Sequence, residues 1–122
     1  MDRWYTATLL SLIVHQIDAA YWHEWDMFHV PGSIQGFLLF NALAVGLLLH
    51  GYRQVILSTP LARRYALLSG GIGVLTALLH AGFAAVGNPQ FGLPLSIATI
   101  AACLVSGTGL LLKTRHNPNS HG

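Results

Sequence analysis

The stretch SIQGFLLFNALAVGLLLHGY, residues 33–52, is mainly apolar and contains no lysine, arginine, aspartate or glutamate. A helix of this length rises about 1.5 Å per residue and so reaches across the roughly 30 Å of hydrocarbon in a bilayer. Three more runs of similar character flank it, over about 4–28, 61–86 and 93–112. Turn chemistry separates them. Pro31-Gly32 closes the first run and Ser33 can cap the second; Thr59-Pro60 offers a cap and a proline at the first helical position of the third. Gly87-Asn88-Pro89 and Gly92 make the next turn, and Pro94 opens the last run. Short connections make sequence neighbours antiparallel neighbours in space. The expected fold is all-α: an integral membrane, antiparallel four-helix bundle forming one domain over residues 1–114, followed by a polar, disordered tail over 115–122.

Composition supports lipid as the solvent. The chain has 122 residues, 53% of them hydrophobic and 8% charged, with mean hydropathy +0.55. A soluble domain carries about 25% charged residues, and so few charges could not cover the surface of a chain this size in water. A nucleic-acid module is excluded, because the net charge is only +2 and no basic stripe is present to follow phosphates. A disulfide scaffold is excluded too, since Cys103 is the single cysteine.

Charge placement gives a direction. All six basic residues, Arg3, Arg53, Arg63, Arg64, Lys113 and Arg115, fall at the N-terminus, the middle loop and the C-terminus. The opposite side carries Glu24 and Asp26 and no lysine or arginine. By the positive-inside rule both termini are cytoplasmic and the protein is a multi-pass component of the inner (plasma) membrane. A cleaved signal peptide ending near Asp18-Ala19-Ala20 is the competing reading of the N-terminus, but His15, Gln16 and Asp18 interrupt its apolar run.

Small residues let membrane helices approach closely. Ser69, Gly73, Thr76 and His80 share one face of the third helix, and Ser96, Thr99, Cys103, Ser106 and Gly107 line the fourth at similar spacing, so these two helices are expected to pack along those seams. Cys103 reads as a small packing residue.

Ionisable groups in hydrocarbon are costly and tend to mark working sites. His15 and Asp18 lie three apart on one face of the first helix, with Trp22 one turn further and Asp26 at the outer mouth. Helix rise puts His15 and Asp18 roughly 10–15 Å below the outer surface, Asn41 roughly 12 Å and His80 roughly 9 Å, so residues from three helices share a level. Asp18 has no lysine or arginine at its depth, and only a histidine, a metal ion or a proton can compensate it. His50 belongs to the cytoplasmic interface, and His116 and His121 to the tail.

Two imidazoles and a carboxylate, His15, His80 and Asp18, are a sufficient donor set for a divalent metal, Zn²⁺ or Fe²⁺, with an open position. Asn41 can orient a ligand or water, and Trp22, Glu24 and Asp26 line the mouth of the pocket. Without metal, His15 and Asp18 form a catalytic base with its orienting carboxylate, suited to a lipophilic substrate. The same residues admit a proton- or ion-coupled path, continued thinly toward the cytoplasm by Ser11, Thr8 and His50. They also admit an accessory subunit in which they bond helices together. Membrane lipid is the expected partner in every case, with a second copy or a larger membrane protein beside it.

His15-Gln16-Ile17-Asp18, the aromatic collar from Tyr21 to Trp25, Pro31-Gly32 and Phe40-Asn41-Ala42-Leu43 resemble the small bacterial four-helix membrane proteins of the HXXEE type. The resemblance aligns His15 with the motif histidine, Asp18 with the first acid, and Asn41 and His80 with a further asparagine and histidine. It implies a shared polar site within the membrane and no particular reaction, for the HXXEE type is itself functionally uncharacterised. Ala19 stands where that pattern has its second acid, and Glu24 lies about a turn and a half further out.

Overall fold

Every apolar run read from the sequence is helical in the computed structural model, which describes residues 1–29, 31–87 and 92–116. The elements are α1 (Asp2–Tyr21), α2 (Glu24–Met27), α3 (Ser33–Ile56), α4 (Ala62–Ala85) and α5 (Pro94–His116). No strand occurs among the described residues. Of these helices α3, α4 and α5 are long and apolar enough to cross a membrane. His15, Gln16 and Asp18 hold α1 below that apolarity.

The first run departs most from expectation. Instead of one helix over 4–28, α1 stops at Tyr21, and His23 adopts a left-handed conformation with φ 53° and ψ 52° before α2 begins. That conformation costs an ordinary residue about 1–2 kcal/mol, which packing around the turn offsets. The His23 ring stacks on Trp25 at 4.8 Å between centroids, and buried Trp25 rests against Phe37 of α3 at 5.3 Å. The other boundaries move less. Gly32, at φ +89°, rather than Ser33 precedes α3. At the far end, Thr59 donates its hydroxyl to Gln54 Oε1 at 2.6 Å, and α4 starts at Ala62, three residues after the expected cap at Thr59. Helix α5 continues through His116, so residues 115 and 116 of the expected tail are helical and 117–122 lie outside the described residues. Of the turn before α5, residues 88–91 are likewise outside them.

Small residues set the tightest contact, between α4 and α5. A Cβ on Gly107 would stand 2.8 Å from the carbonyl oxygen of Gly70, and one on Gly73 would stand 2.9 Å from the carbonyl oxygen of Cys103. The two backbones therefore touch along the expected seam, with Ser69, His80, Ser96, Cys103 and Ser106 buried beside it. Helix α1 packs on α3, α4 and α5, whereas α3 and α5 make no comparable contact among the described residues. Two fits seat α1. Thr8 lies against Gly73, and the fully buried Tyr5 passes Gly51 to donate a hydrogen bond to the Leu48 carbonyl at 2.6 Å.

Four hydroxyls along the helices are satisfied internally, as hydrocarbon favours. Thr8, Ser11, Ser106 and Thr114 each donate to the carbonyl four residues back. The outward surface is apolar, with Leu10, Ile17, Leu43, Leu78, Leu95 and Val105 all exposed, a distribution suited to contact with lipid.

The seam can be tested with single methyl groups. Gly107→Ala forces backbone against backbone and is expected to cost about 1–3 kcal/mol, read as a lowered midpoint of thermal unfolding in detergent. Gly71→Ala, where an added Cβ meets nothing within 4 Å, is expected to be neutral or stabilising by up to about 1 kcal/mol through helix propensity.

Candidate functional site

Three buried side chains from three helices converge beside α2. His15 comes from α1, His80 from α4 and Glu24 from the first position of α2. Each offers a ligand atom within 4.8 Å of the other two. Glu24 divides its carboxylate between the histidines: Oε2 lies 3.9 Å from His15 Nε2 and Oε1 lies 3.7 Å from His80 Nε2. The imidazoles meet edge to face, 4.6 Å between centroids and 73° between planes.

Local structure explains the convergence. His15 sits on the face of α1 that also buries Thr8, Leu12 and Ala19, and His80 ends the row of Ser69, Gly73 and Ala77 on α4. A continuous first helix would carry Glu24 onward and away from His15. The left-handed turn at His23 folds α2 back, so that Glu24 and Trp25 both point inward.

His15 and His80 are brought together as expected. The third donor is Glu24, which was expected at the mouth of the pocket, whereas Asp18 is half-buried and accepts a hydrogen bond from Ser96 of α5 at 3.0 Å. Among the described residues the candidate metal-binding group is His15, Glu24 and His80, without Asp18. The signal that could have found Glu24 is the pair of buried aromatic and acidic neighbours after a histidine able to turn the chain, but no glycine, proline or asparagine marks that turn. Trp22 is half-buried and edge-on to Tyr21 at 4.9 Å, and Asp26 is exposed. Asn41 spends an amide proton on the Phe37 carbonyl at 2.9 Å. It faces a cavity rather than the histidines.

That cavity, about 450 Å³, lies among α1, α3 and α4 next to α2. Leucine, isoleucine and phenylalanine form most of its wall, and its polar members are Gln16, Glu24, Asn41 and Thr76. Glu24 thus belongs to both features, touching the histidine pair and lining the cavity. Apolar concavities in this size range with a few polar groups are the usual form of small-molecule sites.

Chemically, the trio can do what a carboxylate between two imidazoles does. Ligand atoms of a tetrahedral zinc, each about 2.0–2.1 Å from the ion, lie about 3.3 Å apart, so the trio, within 4.8 Å of one another, would have to draw together to hold a divalent cation. In the absence of a cation the same groups can pass a proton between carboxylate and imidazole. The polar residues suggested for a path toward the cytoplasm, Thr8, Ser11 and His50, each have a partner on their own helix. His50 is exposed beside Gln54 at 3.2 Å.

Fold and site together define a helical membrane protein with a His/Glu/His cluster buried between its helices. The chain belongs to DUF6713, a family of unknown function whose model matches residues 1–117. No curated protein and no solved structure matches it.

The turn at His23 is open to test because it depends on one left-handed residue. His23→Gly, which exchanges a ring stack for a relaxed backbone, is expected to stay within about 1 kcal/mol of wild type. His23→Val is expected to lose about 1–2 kcal/mol, measured by thermal unfolding in detergent.

Proposed function

We propose that this protein is a multi-pass component of the bacterial inner membrane in which α1, α3, α4 and α5 form an antiparallel four-helix bundle with cytoplasmic termini, and that His15, Glu24 and His80 hold a divalent metal ion, Zn²⁺ or Fe²⁺, at work on a lipophilic substrate. The position of all six basic residues at the N-terminus, the α3–α4 connection and the C-terminal end supports the orientation. The lower apolarity of α1 fits a helix that packs on three neighbours and carries site residues.

One observation carries the metal assignment: His15, Glu24 and His80 have ligand atoms mutually within 4.8 Å while all three residues are buried. A carboxylate taken out of water with no lysine or arginine beside it needs a compensating cation, a charged histidine or a proton. A metal meets that need and leaves open positions for substrate or water. Asp18, held by Ser96 one turn beyond His15, adds a second carboxylate near the site. With Glu24 folded back by the His23 turn, the two acids that HXXEE-type proteins carry side by side in sequence are supplied here by residues brought together in space. On this reading the chain is a divergent relative of that type, and metal-assisted or acid–base chemistry is its activity.

Elemental analysis of protein purified in detergent without added metal tests the assignment. About one zinc or iron per chain is expected in wild type, falling at least tenfold in His15→Ala, Glu24→Gln and His80→Ala, with Asp18→Asn close to wild type. Absence of metal from folded wild-type protein, or equal metal in the histidine variants, would overturn it.

A further inference from the structure

The cavity beside the cluster has a wall chemistry that selects its occupant. Most of its surface is aliphatic or aromatic, as an acyl or isoprenoid chain requires. Its polar lining, Gln16, Glu24, Asn41 and Thr76, leaves two acceptors unmet. Gln16 Oε1 and Glu24 Oε2 are both buried and neither receives a hydrogen bond among the described residues. Leaving such an acceptor unsatisfied in a buried site costs about 1–3 kcal/mol. One proton of the Asn41 amide is taken by the Phe37 carbonyl.

These features discriminate between classes of lipophile. A plain hydrocarbon leaves both acceptors as they are. A fatty acid brings a negative charge toward the Glu24 carboxylate, with no lysine or arginine lining the cavity to receive it. A lipophilic ammonium could compensate Glu24, but would have to shed its hydration in a pocket otherwise walled mainly by aliphatic and aromatic side chains. A hydroxyl supplies a donor proton without a charge.

We infer that the cavity binds a neutral, hydroxyl-bearing lipophile, a long-chain alcohol, whose hydroxyl donates to Gln16 or Glu24 and whose chain lies along Leu9, Leu12, Phe40 and Leu75. This deepens the proposed function by naming the substrate class, and it rests on that reading only for the placement of the hydroxyl beside the metal-binding trio.

Trp25 lines the cavity and provides the readout. Protein reconstituted in phosphatidylcholine vesicles is titrated with terminally brominated undecanol, and quenching of tryptophan fluorescence is recorded against bromoundecane, bromoundecanoic acid and bromoundecylamine. Saturable quenching by the alcohol is expected, lost in Trp25→Phe. The half-saturating mole fraction should rise about tenfold in Gln16→Leu, the worth of one hydrogen bond, and saturation should vanish in Ala44→Phe, which fills the cavity. Gln16→Asn is expected to retain part of the affinity. Quenching that rises linearly and equally for alcohol and bromoundecane overturns the inference, as does saturation by the acid or the amine at a lower mole fraction than the alcohol. Running the titration on protein whose metal content is known separates the two proposals. Saturation by the alcohol in metal-free protein sustains the cavity and removes the metal, and metal-loaded protein that shows no saturation does the reverse.

Discussion

A carboxylate buried among membrane helices with no lysine or arginine in reach constrains everything around it. Glu24 is that group. The basic residues of the chain all lie toward the other ends of the helices, so its compensation has to come from histidine, from a proton or from a bound cation. Two imidazoles on separate helices stand beside it. His80 is placed by the α4–α5 seam, where Gly70, Gly73 and Gly107 bring backbones into contact. His15 is placed by α1, which is seated in turn by Thr8 on Gly73 and by Tyr5 on the Leu48 carbonyl. Substituting a glycine in the seam therefore disturbs the site although no glycine touches it.

The elements legible in the sequence were those whose signal is local. Turns at Pro31-Gly32, Thr59-Pro60 and Gly87 bound the helices because proline and glycine act on their own backbone. The small-residue rows on α4 and α5 were readable because a close approach needs small residues at helical spacing on both partners, and His15 with His80 followed from depth. The break in the first helix was not readable in this way. His23 takes a left-handed conformation that favours glycine or asparagine, and what holds it there is tertiary: the stack on Trp25 and the burial of Trp25 against Phe37. The reading of one continuous helix places Glu24 at the outer mouth, whereas the turn at His23 brings it beside His15 and His80.

The exchange of roles between Asp18 and Glu24 follows from the same cause. Treated as a continuous helix, residues 4–28 leave Asp18 as the charge that the membrane does not explain, because Glu24 would reach the outer surface. With the chain turned at His23, Glu24 becomes the buried acid, and Asp18 is half-buried with a serine hydroxyl for company. Residue type and depth point to His15 and His80, and the direction of one backbone turn decides which carboxylate lies between them.

The position of Glu24 also limits what kind of device this can be. One of its oxygens faces each histidine, and the same side chain forms part of the cavity wall. A group with both duties couples whatever occupies the cavity to the state of the cluster: drawing the carboxylate toward a ligand weakens its hold on the imidazoles, and binding a cation there withdraws an acceptor from the cavity. Along α1, Thr8 and Ser11 donate their hydroxyls to their own helix. Among the described residues the polar groups form a local centre facing an apolar chamber.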